Sequence, residues 1–179
     1  MELNEYQKKT ETTPIPNVEL DPIRLQRYML EKKDNQNLLF AVIGGAIATL
    51  VGGGLWAVIT VFTDHQIGWM AIGIGVLVGF TVRLCGKGFD QIYGIIGAVL
   101  SLLGCLIGNI LTIIIVLSTN QNIPILQLLM SLDIKVTTEI MINTFQLMDV
   151  LFYGIAIYEG YRFSFNTIPD EDYAKLAKE

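Results

Sequence analysis

Polar and apolar positions in this chain fall into long blocks. From Leu38 to Phe62 runs an apolar stretch of 25 residues without a charge. A second block, Ile67 to Leu84, meets one charge, Arg83, near its end. A third, Ile92 to Leu117, carries none, and a fourth, Phe145 to Phe165, holds Asp149, Glu159 and Arg162. About 20 apolar residues of helix cross the hydrocarbon core of a bilayer. The pattern therefore predicts an all-α polytopic membrane protein with four transmembrane helices.

Small residues mark one face of each of the first three blocks. In the third they are Gly94, Gly97, Ser101, Gly104 and Gly108, spaced three and four apart and so on one side of a helix. Ala41, Gly45, Ala48 and Gly52 do the same in the first block, and Gly68, Ala71, Gly75 and Gly79 in the second. Small faces let helix backbones approach closely in lipid. Gly75, Gly79, Gly94, Gly97, Gly104 and Gly108 are the predicted packing residues. The third helix is expected to be the most contacted span, packed on the second through Gly75, Gly79, Gly97, Gly104 and Gly108. Trp56 lies deep inside its block and reads as packing, whereas Trp69 stands where an interfacial aromatic belongs.

The connections are polar. Residues 1–20 read as a disordered arm with little to bury. Asp21-Pro22 is a helix start, with Asp as N-cap and Pro in the first turn. It opens a short cytoplasmic or interfacial helix to about Lys33 within a 21–37 segment. The transmembrane domain spans 38–165, and 166–179 is a polar tail in which Pro169 followed by Asp170, Glu171 and Asp172 fits a helix N-terminus. Within 123–144, Ile123 to Leu132 is too short to span and reads as interfacial or re-entrant. Thr63 to Gln66 and Arg83 to Asp90 read as turns, and Thr119 to Asn122 as the exit from the third span. The first apolar run follows 37 polar residues, so no cleavable leader is expected.

Composition agrees with the blocks. Hydrophobic residues make up 52% and charged residues 16%, against about a quarter charged in an average soluble domain. The net charge of −5 sits largely in the tails, so it says nothing about nucleic acid or acidic substrates; no nucleic-acid partner is expected. Cys85 and Cys105 have no disulfide or zinc spacing and read as small packing residues. His65, the only histidine, lies in a turn without metal-ligand spacing around it. No cofactor motif is present.

Lys and Arg alternate between connections. Arg24, Arg27, Lys32 and Lys33 precede the first span, Arg83 and Lys87 flank the second turn, and Arg162, Lys175 and Lys178 flank the last span. The positive-inside rule then places both termini and the second turn in the cytoplasm. That orientation sets Arg83, Glu159 and Arg162 near the inner interface, where Glu159 is expected to pair with Arg83 or Arg162. It sets Asp149 and Asn109 together near the outer one, with Tyr153 placed to hydrogen-bond the carboxyl. Ionisable residues inside spans are functional candidates, so Asp149, Asn109, Glu159 and Arg83 form the candidate polar set.

The run QIGWMAIGIGVLVGFTVRLCGKGFDQIYGIIGAVLSLLGCLIGN, Gln66 to Asn109, resembles a group of uncharacterised bacterial four-helix integral membrane proteins with a Gly-rich hairpin and a GKG turn. LFYGIAIYEGYRFSF at 151–165 looks like their last span. The resemblance implies a bacterial inner-membrane location and brings no activity or site residue.

Two function classes remain in view. One is a non-enzymatic accessory or scaffold subunit whose partners are the bilayer and a second copy or another subunit. The other is a small ion or proton channel or transporter using Asp149. An intramembrane enzyme is disfavoured, since no Ser/His pair, HExxH or paired Asp motif occurs.

Overall fold

The computed structural model describes residues 20–63, 68–131, 133, 138–139, 142, 147–169, 172 and 176. Its helices are α1 (Pro22–Lys33), α2 (Leu38–Thr63), α3 (Trp69–Gly86), α4 (Gln91–Gln121), α5 (Ile125–Ser131) and α6 (Leu147–Phe163). Among the described residues there is no strand. The chain divides into two compact units, one of residues 35–166 and one of residues 1–34 with 167–179.

In the 35–166 unit, α2, α3 and α4 are long and apolar enough to cross a membrane. Their ends are set by local chemistry. Asn37 Oδ1 accepts from Phe40 N at 3.2 Å, which satisfies a free amide at the start of α2. α3 ends where Lys87 turns left-handed (φ 49°) and donates its N–H to Arg83 O at 2.9 Å. α4 ends the same way at Asn122 (φ 53°), with Pro124 shortly after. Both helices run past the expected stops. Arg83 and Cys85 stand on the last turns of α3, and Thr119 stays helical because its Oγ1 donates to Ile115 O at 2.9 Å. The described part of the fourth apolar block is the 17-residue α6. The 64–66 part of the first turn, with His65, and most of 132–146 lie outside the described residues.

α3 and α4 form a central pair, each packed on α2 and on α6, while α2 and α6 lie on opposite sides of that pair. α4 is the most contacted helix, as expected, and α3 shares the central position with it. α2 and α4 run parallel, since Gly45 meets Leu100 and Gly53 meets Gly104 and Gly108. α3 runs against both, with Gly86 by Ala41 and Tyr93 at one end and Ile74 by Gly52 and Gly104 further along. α6 runs with α3, with Gly75 by Ala156 and Gly79 by Gly160. The start of α2, the 87–90 turn and the end of α6 therefore share one end of the unit.

The interior of this unit is built from small side chains. Ala41, Ala48, Ala71, Val78, Val82, Cys105 and Ala156 are buried with the glycines between them, and Trp56 is the largest side chain in the core. Most of the large aliphatic and aromatic residues face outward, among them Phe40, Ile47, Leu50, Leu55, Phe80, Leu84, Val99 and Leu151, while Ile74, Tyr93, Ile114 and Tyr153 are buried with Trp56. Cys105 packs inside as expected. Cys85 is exposed, with its Sγ against the flank of Gly44.

The other unit joins the two chain ends, which the sequence presents as separate segments. Asp21 Oδ1 accepts from Ile23 N at 2.9 Å and Pro22 opens α1, as expected. Leu25 packs with Ile168 and Leu176, and Leu20, Tyr28 and Met29 close around them. Asp21 N donates to Leu176 O at 2.8 Å, and Tyr28 OH donates to Asp172 Oδ2 at 2.9 Å. Residues 1–19 of the expected arm lie outside the described residues.

Candidate functional site

Two groups of polar residues stand at the ends of the helical unit, with buried Thr49 and Ser101 among the glycine crossings between them and Thr49 Oγ1 donating to Leu100 O at 3.1 Å. At the end where α6 begins, Asp149 and Tyr153 are one turn apart and both buried. Asn109, on α4, donates from Nδ2 to Tyr153 OH. The predicted association of Asn109 with Asp149 is thus realised through α6, with Tyr153 as the direct partner of the amide. On the neighbouring face of α4, the Trp56 ring lies over Gly108, where a Cβ would come 2.8 Å from the indole Cγ. Thr112 Oγ1 donates back to Gly108 O at 2.8 Å. Among the described residues Trp56 Nε1 and Thr60 Oγ1, both on α2 and buried, have no hydrogen-bond partner. Nothing in the sequence separates Thr60 from the other threonines of the spans.

At the other end the chain itself forms the contacts. Asn37 N donates to Gly86 O and Asn166 N donates to Gly88 O, each at 2.9 Å, so the 86–88 turn receives one amide from before α2 and one from after α6. The Arg83 guanidinium donates from Nε to Asn166 Oδ1 at 3.1 Å. Gly86 and Gly88 are required here by close approach. A Cβ on Gly86 would fall 2.6 Å from Ala41 Cβ and 2.7 Å from the Tyr93 ring, and one on Gly88 would run into the same ring. Phe89 is buried beside them while Lys87 points to solvent.

Arg83 and Glu159 do not come together as expected. The parallel register of α3 and α6 sets the Glu159 Cβ against Gly75. Gly75 is eight residues before Arg83, roughly 12 Å along a helix. Among the described residues Glu159 has no ion pair, and Arg162 is exposed over the Phe163 ring at 5.8 Å. Asn166, outside the expected candidate set, provides the acceptor.

The glycine crossings also change partners. Gly75 and Gly79 carry α6, where a Cβ would lie 2.7 Å from Ala156 O and 2.9 Å from Gly160 O. Gly97 meets Gly160 of α6 and Ser164 just past its end, and Gly94 meets Tyr161 of α6 and Phe165 beyond it. Gly104 is the predicted glycine that does face α3, at Ile74, and Gly108 faces α2. Every predicted packing glycine is in a helix contact, but most grip α6 or α2 rather than joining α3 to α4. The reason is that four-residue spacing identifies a face and not the helix that will cover it.

Compared with family models, with curated proteins and with solved structures, the chain matches none.

Proposed function

We propose that this chain is a non-enzymatic integral membrane protein of four spanning helices, an accessory or scaffold subunit of a membrane complex. Its place in this reading is the bacterial inner membrane, with both termini in the cytoplasm. The observation that carries the reading is the distribution of side-chain size in residues 35–166. Small residues and backbone fill the inside, and Leu, Ile, Val and Phe cover the outside. A protein in water seldom exposes so continuous an apolar surface. In lipid that surface is at no disadvantage, and helices associate through close van der Waals contact instead. The fourth span takes α6 with the residues just before it. The alternation of Lys and Arg supports the orientation.

The scaffold assignment draws on the crossings. Backbone meets backbone at Gly53 with Gly104 and at Gly97 with Gly160, and these contacts fill the interior where a pathway would run. A specific observation favours a second reading, a proton or cation pathway. It is the buried Asp149 one turn from the Tyr153 to Asn109 hydrogen bond.

Three measurements test this. In a background without Cys85 and Cys105, a membrane-impermeant thiol reagent added from outside should label His65→Cys and spare Lys87→Cys; the reverse result rejects the orientation. In proteoliposomes the scaffold reading expects no ion or proton flux. Flux abolished by Asp149→Asn would replace it with the second reading. Extraction in mild detergent should return an assembly, with itself or another subunit; a monomer at every loading contradicts the scaffold.

A further inference from the structure

We infer that the seam between α2 and α4 binds a structural water molecule, held by Trp56, Thr60 and Thr112. Trp56 is 2% exposed, Thr60 7% and Thr112 9%. Gly53 lies against Gly104 and Gly108, and the Trp56 ring covers Gly108. Because α2 and α4 run parallel, Thr60 and Thr112 come to the same level one turn further on. The ring atoms nearest Gly108 are Cγ and Cδ1, 2.8 and 3.2 Å from where a Cβ would stand. Nε1 is bonded to Cδ1, so the indole donor is on the α4 side of the ring.

Two of these groups have hydrogen-bonding capacity that the described residues do not meet, Trp56 Nε1 and Thr60 Oγ1. The Thr60 hydroxyl also departs from its neighbours. Thr49, Thr63, Thr81, Thr112 and Thr119 each donate to the carbonyl four residues back, the usual outlet of a helical hydroxyl. Thr60 is turned away from that carbonyl. Leaving a buried N–H or O–H unpaired is costly, and such groups are nearly always met by protein or by ordered water.

The chemistry of the three groups names the occupant. The indole can only donate, and the Thr60 hydroxyl can donate or accept. Thr112 has committed its hydrogen to Gly108 O and can only accept. An occupant shared by all three accepts from Trp56 and donates to Thr112. A cation cannot do the first and an anion cannot do the second. Water does both, with the roughly three hydrogen bonds typical of a buried water. The Gly53 crossing, where a Cβ would stand 3.0 Å from Gly104 O, closes the seam on one side and favours a molecule of that size. The site lies inside the 35–166 unit, so it does not depend on what surrounds the unit.

The test uses the full chain in detergent micelles with Trp69→Phe, which leaves Trp56 as the single indole, labelled with nitrogen-15. Proton NMR should show a cross-peak between the Trp56 indole N–H and water. Its sign should be that of a bound water, opposite to the diagonal in the rotating-frame experiment, and not that of exchange with bulk solvent. Thr60→Val and Thr112→Val should each abolish it at unchanged helicity. Thr60→Ser, which keeps the hydroxyl, should retain it. No such cross-peak in the parent, its survival in either valine variant, or its loss with Thr60→Ser overturns the assignment. Loss in Thr60→Val alone would show magnetisation relayed through the Thr60 hydroxyl instead of a shared water.

Discussion

The two ends of the helical unit hold their helices together by different means. At the 86–90 turn main-chain contacts predominate: amides of Asn37 and Asn166 on carbonyls of the turn, with the Gly97 and Gly160 crossing behind them and the Arg83 to Asn166 side-chain bond beside them. At the opposite end side chains make the contacts: Asn109 on Tyr153, the Trp56 ring on the Gly108 backbone, and buried Asp149 beside them. A contact made by backbone cannot move without moving a helix. A contact made by a side chain can be lost and repacked locally. The turn end should therefore behave as the rigid anchor and the Asp149 end as the adjustable one.

Substitution can break that contrast, and the largest effect is expected at the anchor. A Cβ on Gly160 would sit 2.7 Å from Gly97 O. Gly160→Leu should then lower stability by at least the ~1–3 kcal/mol typical of overpacking, since backbone is what it strikes. Gly154→Leu on the same helix, where nothing lies within 4 Å, should be close to neutral. Thermal unfolding in detergent checks the pair, and equal effects would show that the Gly160 crossing is not tight.

Next comes Gly88→Ala. Its methyl strikes the base of the Tyr93 ring, which has no freedom to swing aside, and a loss of about 1–3 kcal/mol is expected. Tyr93→Ala should relieve much of that loss in the double variant, which makes the pair strongly non-additive. Additive losses would place the strain elsewhere.

At the adjustable end, Asn109→Leu should cost about 1 kcal/mol, the scale of one hydrogen bond between membrane helices. Tyr153→Phe should add little on top of it. A double-mutant cycle measures the coupling, and losses as large as that of Gly160→Leu would make this end an anchor too.

The smallest change returns to the turn. Lys87 holds a left-handed conformation that costs a non-glycine residue roughly 1–2 kcal/mol. Lys87→Gly removes that cost but loosens the unfolded chain, so a gain of a few tenths of a kcal/mol is expected. A loss would mean that the exposed Lys87 side chain makes a stabilising contact.

The relation of sequence to fold follows the range of each interaction. The Asp21 cap, the starts of α2 and α4 and the small faces were legible, because each depends on residues within a turn or two. The stops of α3 and α4 were misplaced by a few residues. Their ends are decided by Lys87 and Asn122 adopting left-handed backbone, which Asn favours and Lys does not announce. Trp56 was rightly placed inside because it sits on the same face as Gly45, Ala48 and Gly52.

What needed tertiary structure was the choice of partner. The glycine spacing showed that Gly75 and Gly79 would meet a backbone. The backbone they meet belongs to α6 because α3 and α6 run parallel in one register. That same register carries Glu159 away from Arg83 and delivers Asn166 to it. The sequence alone determined the apolar helices, their small faces and the acidic cap of α1. Tertiary structure decided which faces meet, that Asn109 donates to Tyr153, and that the two chain ends close around Leu25. The physical reason is that helix and cap energies are summed over neighbours in the chain. Register between helices is a property of the whole packed surface, and no local pattern encodes it.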